Sequence, residues 1–482
     1  MHGSSRSHDV VIVGAGSAGY AAACTVRDLG CDAALIDPGP LGGLCILRGC
    51  MPSKALLASS DALADAREST RLGITAANVD ADMPFIAARK RMLVSEFADY
   101  RIEGIEHFPL YHGAARFLSP TRISVGDSVR IEAPKFIIAT GSTIAPAGVA
   151  GLEQTGYLDS DIVLELEEVP KSVVVLGGGY TACELGQFLA RLGAKTTMLI
   201  RGRHLLTQSD DDVGSALTRY FEDDGISVLA EARLLGAERR DGAKVVRYAR
   251  YGEERETVAD EIFYALGRVA NSADLGLENA GVECEGNGAV RVDDTLRTSN
   301  PAIYAVGDVT GGQMLVHVAI YQGEVAARNA CTDAYEKADY SLVGAHTLFT
   351  DPQVAAVGMG EKELGRREVP YVTGRYDFAE HGKAQCLGKT KGFVKMMAHR
   401  VTGKILGASV IGPQASELIH EVIVAMNFGA TVDQFMRIPH LHPTLAEIWT
   451  YPAEACAAQL GVKVPGDEQM ELATSVAGAA HD

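Results

Sequence analysis

A chain of 482 residues is too long for a single hydrophobic core, so two to four domains are expected. Hydrophobic residues make up 47% and charged residues 22%, the balance of a globular protein. The net charge of −18 and the lack of a Lys/Arg-rich run argue against a nucleic-acid binder, and no apolar run reaches the ~18 residues of a membrane span.

Residues 1–7 read as disordered. Residues 10–24 follow Arg6 as the core of a signal peptide would, but Gly14, Gly16 and Gly19 interrupt the run, so a cytoplasmic protein is expected. Nine cysteines, odd in number and scattered, fit the same reducing compartment.

Val10–Val13 is a β-branched run of the kind found in buried parallel strands. Gly14-Ala15-Gly16-Ser17-Ala18-Gly19 follows, then an alanine-rich helix, then a second strand, Ala33–Asp37, ending in a carboxylate. Strand, glycine loop, helix and terminal acid together form a dinucleotide-binding fingerprint. The glycines let backbone approach a pyrophosphate, the helix N-terminus neutralises it, and Asp37 can accept from ribose hydroxyls.

Next comes Gly42-Gly43-Leu44-Cys45-Ile46-Leu47-Arg48-Gly49-Cys50-Met51-Pro52-Ser53-Lys54. Residues five apart on a regular helix lie about 8–9 Å apart, whereas a disulfide needs about 4.4–6.8 Å between α-carbons. If Cys45 and Cys50 pair, the segment therefore bends, and Gly49 supplies the freedom. Pro52 suits a first helical turn, which places Cys50 near a helix N-terminus that favours a thiolate. Taken alone, the two cysteines leave thiol–disulfide exchange, a structural cross-link and two buried thiols open.

Lys54–Arg71 and Met83–Gly104 read as amphipathic helices, and residues 107–138 as short strands. Phe136–Ala139 is a buried strand running into the small turn Thr140-Gly141-Ser142. The opening pattern then returns. Strand Ser172–Leu176 leads into Gly177-Gly178-Gly179-Tyr180-Thr181-Ala182, a helix, and strand Lys195–Ile200. This second strand ends in Arg201-Gly202-Arg203 instead of an acid. A carboxylate there would repel a 2′-phosphate, whereas arginine grips one, so the second unit is expected to prefer NADPH. Solvated surface arginines remain the other reading. More strands follow over 226–268, and Pro301–Asp308 delivers Asp308 at a strand end, as a ligand contact or a helix cap.

From about His346 the composition changes. Pro439-His440-Leu441-His442-Pro443-Thr444-Leu445-Ala446-Glu447 pairs histidine with carboxylate, a general acid–base arrangement. A structural histidine is the alternative. A His440/His442 metal site is not expected, because no further ligands with metal spacing lie nearby.

In this order GAGSAG, GGLCILRGCMPSK, ATGS, GGGYTACE, RTSNPAIYAVGD, FTDPQVAAVG and HLHPTLAE resemble the flavin-dependent pyridine nucleotide–disulfide oxidoreductases, over residues 8–456. That family includes dihydrolipoamide dehydrogenase, glutathione reductase and mercuric reductase. The resemblance implies an α/β fold with two Rossmann-like domains and a C-terminal α+β dimerisation domain. It divides the chain into an FAD-binding domain at 1–150 and 271–345, an NAD(P)-binding domain at 151–270 and an interface domain at 346–482.

It also implies roles. Gly14, Gly16, Gly19, Asp37, Gly43, Thr140, Gly141 and Asp308 would bind FAD, with Asp308 at the ribityl chain. Gly177, Gly179, Glu184, Arg201 and Arg203 would bind the nicotinamide cofactor, and Tyr180 would cover its pocket. Lys54 and Glu184 would pair beside the flavin N5. Cys50 would face the flavin and Cys45 would attack the substrate. His442, oriented by Glu447, would come from the partner of a homodimer and keep Cys45 as thiolate. The implied activity is transfer of electrons from NADPH, through FAD and a Cys45–Cys50 disulfide, to a small disulfide.

Departures bear on the substrate. Ile46-Leu47-Arg48-Gly49 replaces the usual Asn-Val or similar polar pair, and Arg48 is expected to add positive charge beside the thiols. HLHPT resembles dihydrolipoamide dehydrogenase, GGGYTACE and Ile200-Arg201 resemble glutathione reductase, and FTDPQVAAVG resembles mercuric reductase. The segment after Cys456 has no cysteine, and no metal-binding domain precedes the fingerprint, so mercuric reduction and high-molecular-weight thioredoxin reduction are not expected. The second cysteine separates the chain from the soluble transhydrogenases that lack it. The alternatives are a lipoamide dehydrogenase using NAD and a flavoprotein redox sensor without turnover.

Overall fold

Valines and isoleucines in Val10–Val13 are buried on both faces, and this strand lies at the middle of the first sheet. In a computed structural model describing residues 5–332 and 334–462, five parallel strands run in the order Ile303–Ala305, Lys135–Ile138, Val10–Val13, Ala33–Asp37, Leu110–His112. Val13 lies opposite both Ile36 and Ile138, so the sequence-distant strands end together above the glycine loop. Helices Ser17–Asp28 and Val316–Thr332 cover one face through alanines. They approach so closely that a Cβ on Gly323 would lie 2.4 Å from the Ala18 carbonyl oxygen. A second sheet of Ser5–Ser7, Val129–Glu132, Arg122–Val125 and Ala115–Ser119 covers the other face, with Phe117, Ile123 and Ile131 in the contact. Burying each such apolar side chain stabilises the fold by about 1.5–3 kcal/mol.

Ser5–Ser7 was expected to be disordered. It instead pairs with Arg130–Glu132, where the edge of that sheet offers unsatisfied backbone groups. Residues 1–4 of the expected disordered stretch lie outside the described residues.

The same plan is used twice. Four parallel strands, Ser227–Leu229, Lys195–Leu199, Ser172–Leu176 and Glu261–Tyr264, carry helices Tyr180–Arg191 and Asp211–Asp223 on one face. The antiparallel strands Arg233–Arg240, Ala243–Arg250 and Glu253–Ala259 cover the other. After this unit the chain returns to the first sheet at Ile303–Ala305.

The last unit is an antiparallel sheet, His346–Leu348, Gln353–Gly358, Ile405–Gly412, Phe393–His399, Tyr371–Asp377, backed by helices Ala415–Asn427 and Thr450–Gln459. Trp449 is buried between them and donates its indole N–H to the Leu418 carbonyl at 2.9 Å. Among the described residues no helix is long and apolar enough to cross a membrane.

Candidate active site

Gly49 breaks what would otherwise be one helix. Helix Gly43–Arg48 ends there, at φ −138° and ψ −110°, and Cys50–Arg67 starts immediately after, with Pro52 in its first turn as expected, and ends short of Arg71. A Cβ on Gly49 would stand 3.0 Å from the Leu44 carbonyl oxygen and 3.2 Å from the Cys45 Cα. The bend brings the two half-buried thiols close enough that each shifts the acidity of the other.

Their acidities move apart. Cys50 is lowered to about 7, first by hydrogen bonding with Cys45 and then by the Lys54 ammonium, against the opposing effect of burial. Its place as first residue of a helix favours the same charge. Cys45 is pushed well above an ordinary thiol by the same bond and by burial. Within one chain the balance thus favours a thiolate at Cys50, the end of the pair nearest Lys54 and the helix N-terminus.

Lys54 Nζ lies 2.8 Å from Glu184 Oε2, an ion pair that joins the cysteine helix to the helix after the second glycine loop. Glu184 is buried, and its other oxygen accepts from the Phe349 amide at 3.0 Å. The Lys54 ammonium also sits 4.4 Å from the centre of the Phe349 ring. Beside it Tyr180 meets His346 edge-on, and burial holds the phenol well above its ordinary range. The FTDP segment was legible as a motif, but the role of Phe349 was not, because it depends on a neighbour 165 residues away.

Both glycine loops form cradles that side chains would fill. Gly14 has φ +105°, and a Cβ there would lie 2.3 Å from the Ala139 carbonyl oxygen. A Cβ on Gly19 would lie 1.8 Å from the Gly14 carbonyl oxygen, and one on Gly43 2.7 Å from the Gly16 Cα. A Cβ on Gly16, at the cap, would meet nothing closer than the Gly43 Cα at 3.8 Å, and the helix it starts has no side-chain cap. Its first amides thus remain available to a phosphate. Gly177 repeats the pattern at φ +123° beside the Ala265 carbonyl, and Gly179 opens a second uncapped helix with nothing within 4 Å of its Cβ position.

Asp37 accepts from the amides of Ala15 and Gly39, both at 2.7 Å, so the carboxylate is fixed at the mouth of the first loop. The Thr140-Gly141 turn is locked to Asn271: Thr140 Oγ1 donates to the Asn271 carbonyl at 2.7 Å, and the Asn271 amide donates to the Gly141 carbonyl at 3.0 Å. Asp308, half-buried, accepts from the Ser142 hydroxyl at 2.6 Å, and Arg268 in turn donates to Ser142. Ser142 was legible only as the end of the ATGS turn, and Arg268 and Asn271 carried no signal in the sequence, since they serve only once the two crossings between domains are folded.

Arg201 is exposed, and Arg203, with 88% of its side chain exposed, lies 3.8 Å from Glu231. Arg48 does not add free charge beside the thiols as expected. Its guanidinium turns to Asp161, 3.3 Å away and 113 residues along the chain.

His442 lies on the third unit. Its Nδ1 is 2.9 Å from Glu447 Oε2, and 81% of its side chain is exposed. His440 turns elsewhere, bonding Glu421 and the Ile438 carbonyl. The other Glu447 oxygen lies 3.5 Å from Nε2 of His381, a residue the sequence did not single out.

Residues 8–323 match the model of the pyridine nucleotide-disulphide oxidoreductase family, and residues 345–453 that of its dimerisation domain. The chain belongs to this family. It is 35% identical over 463 residues to a dihydrolipoyl dehydrogenase of Geobacillus stearothermophilus, covering 95% of this chain and 97% of that one. It is 34% identical to a mercuric reductase of Streptomyces lividans, covering 91% and 94%. Among solved structures, LpdA from Mycobacterium tuberculosis superposes with a TM-score of 0.84 at 27% identity, covering 93% of this chain and 99% of that one. The HOCl-induced flavoprotein disulfide reductase RclA of Escherichia coli shares the fold, with a TM-score of 0.82 at 24% identity.

The family is FAD-dependent and uses a pyridine nucleotide. The two cradles fit that chemistry, each pairing a close-packed glycine loop with an uncapped helix.

Proposed function

We propose that this protein is an NADPH-dependent flavoprotein reductase of a small disulfide, working through Cys45 and Cys50 as a homodimer in the cytoplasm. The observation that carries the reading is the bent Cys45–Cys50 segment set beside the Lys54–Glu184 ion pair, with the Cys50 thiol lowered towards neutrality. A buried structural cross-link would need neither a thiol near neutrality nor an ammonium beside it.

The first glycine loop, with Gly14, Gly16 and Gly19, would hold the FAD pyrophosphate, flanked by Gly43 and the Thr140-Gly141 turn. Asp37 would meet the adenosine ribose and Asp308 the ribityl chain. Gly177, Gly179, Glu184, Arg201 and Arg203 would hold NADPH, with Tyr180 over the nicotinamide pocket. The chemistry supplied by the two bound cofactors is a two-electron relay to the sulfur pair.

The residues do the rest. His442 of the partner subunit takes the proton from Cys45. The Cys45 sulfur attacks the external disulfide, one S–S bond breaks and a mixed disulfide forms. The leaving sulfur receives the proton from that imidazole. The Cys50 thiolate then attacks Cys45, restoring the intramolecular disulfide and expelling the second substrate thiolate. Glu447 orients the imidazole throughout.

The names of the relatives favour a second reading, an NAD-linked dihydrolipoyl dehydrogenase. Arg201 and Arg203 stand where an acid would serve NAD, which supports NADPH. A third, a redox sensor without turnover, has less support because a sensor needs no acid–base pair.

Steady-state reduction of lipoamide, glutathione disulfide, other low-molecular-weight disulfides and mercuric ion, each with NADPH and with NADH, tests the reading. Preference for NADPH with disulfide turnover that disappears in Cys45→Ser is the expected result. Turnover surviving in that variant would overturn it. Replacing Arg201 and Arg203 by alanine should lower kcat/KM for NADPH about tenfold or more while sparing NADH, from the loss of charge-assisted bonds to phosphate.

A further inference from the structure

We infer that His381 is a positioning residue for the His442–Glu447 pair: its Nε2 faces the second carboxylate oxygen of Glu447, and a hydrogen bond closed there on substrate binding fixes the plane in which Glu447 holds His442. The inference rests on the acid–base role proposed above for His442.

His381 caps the short helix Gly382–Leu387. Its backbone is fully used: its amide donates to the Phe378 carbonyl at 3.1 Å, and its carbonyl accepts from Gln385 at 3.0 Å. Its side chain is completely buried, yet neither ring nitrogen has a hydrogen-bond partner. Buried polar atoms without partners are rare, because desolvation is then uncompensated. The nearest polar atom offered is Glu447 Oε1, 3.5 Å from Nε2. The opposite oxygen, Oε2, holds His442 Nδ1 at 2.9 Å. One carboxylate thus stands between two imidazoles.

Tyr451 confines the ring, meeting it edge-on at 6.2 Å, and Tyr451 is itself stacked on Tyr376 at 3.9 Å. The groups that face His381 are Glu447, His442 and Tyr451, with Glu380 one residue away on its own segment. Burial holds the ring below the ordinary histidine range, against the pull of Glu447 and with the repulsion of His442, so it is neutral near pH 7. A neutral ring has one N–H, and the tautomer that carries it on Nε2 aims it at Glu447. Catalytic hydrogen bonds are often long in the unliganded enzyme and tighten in the complex, so a shift of a few tenths of an ångström completes this one.

The consequence is chemical as well as geometric. Donation to Oε1 spreads the charge of Glu447, which then stabilises an imidazolium at His442 less strongly. A proton taken from Cys45 is released more readily to the leaving sulfur. Without the donor the proton is retained, and the imidazole acts as a base only at higher pH.

The test uses the full-length FAD-loaded protein with 5,5′-dithiobis(2-nitrobenzoate) as disulfide and NADPH as donor, measured from pH 5.5 to 9. Cys45→Ser and Glu447→Gln come first. If either keeps wild-type turnover, the reading of the site fails and this inference falls with it. If both lose turnover, His381→Leu is expected to lower kcat/KM about tenfold and to move the acidic limb of its pH profile upward by about half a unit. His381→Gln, which keeps an N–H donor, should restore most of the rate and the wild-type limb. A His381→Leu enzyme with a wild-type profile, or one slowed without movement of the limb, would show a merely structural histidine. Should His381→Leu fail to retain flavin, His381→Gln decides alone, and a displaced limb there overturns the proposal.

Discussion

Cys50 and Lys54 lie one helical turn apart, and the charge on one sets the proton on the other. Lys54 lowers the Cys50 thiol, whereas the buried Glu184 raises it, so the two members of one ion pair act in opposite directions. In the reduced protein Cys50 is thiolate above pH about 7 and loses its charge as pH falls below that value. Lys54→Met removes the lowering charge and should move the midpoint up, towards an ordinary thiol. Glu184→Gln removes the raising charge, keeps an acceptor for the Phe349 amide and should move it down. Iodoacetamide labelling followed residue by residue by mass spectrometry over pH checks both signs. Shifts of the same sign in the two variants would contradict the assignment.

At the scale of elements, two helices are shaped by close approach. The helix Ser17–Asp28 meets the first strand through Gly19, where a Cβ would lie 1.8 Å from the Gly14 carbonyl oxygen. Backbone cannot yield as a flexible side chain does. Gly19→Ala should therefore cost about 1–3 kcal/mol of stability and displace the glycine loop. Visible flavin absorption per chain, together with thermal unfolding, measures the loss. The cysteine helix depends on its break in the same way. In Gly49→Ala the new methyl crowds Leu44 and Cys45, and the two sulfurs should separate. A reduced yield of the Cys45–Cys50 disulfide under mild oxidation is the expected outcome. Both glycines were visible in the sequence as motif positions. The partners that make them necessary, Gly14 and Leu44 carbonyls, were visible only as consequences of the fold.

For the whole molecule, His442 is exposed on the third unit, bonded to Glu447 and ready to meet a second surface. The chain carries the dimerisation domain of its family, and in the mechanism proposed above each His442 of a symmetric dimer serves the partner's site. Cys45→Ser and His442→Ala homodimers should each be inactive. When the two are unfolded and refolded together, half of the dimers are mixed, and each mixed dimer holds one intact site. Activity should return to about a quarter of wild type, from the statistics of random pairing of two chains. No recovery on mixing would place His442 and Cys45 of one site in the same chain.

Residue order alone was enough to expect parallel strands, both glycine loops, the cysteine pair, the acid of Asp37 and the His442–Glu447 spacing. These are local features, set by hydrophobic period, backbone freedom and residues a few positions apart. Folding in three dimensions added the rest: Ser5–Ser7 joins a sheet, Arg48 pairs with Asp161, Phe349 braces the Lys54–Glu184 pair and His381 faces Glu447. Each of those contacts joins residues far apart in the chain. Its energy exists only after the intervening loops have closed, and no local pattern records it.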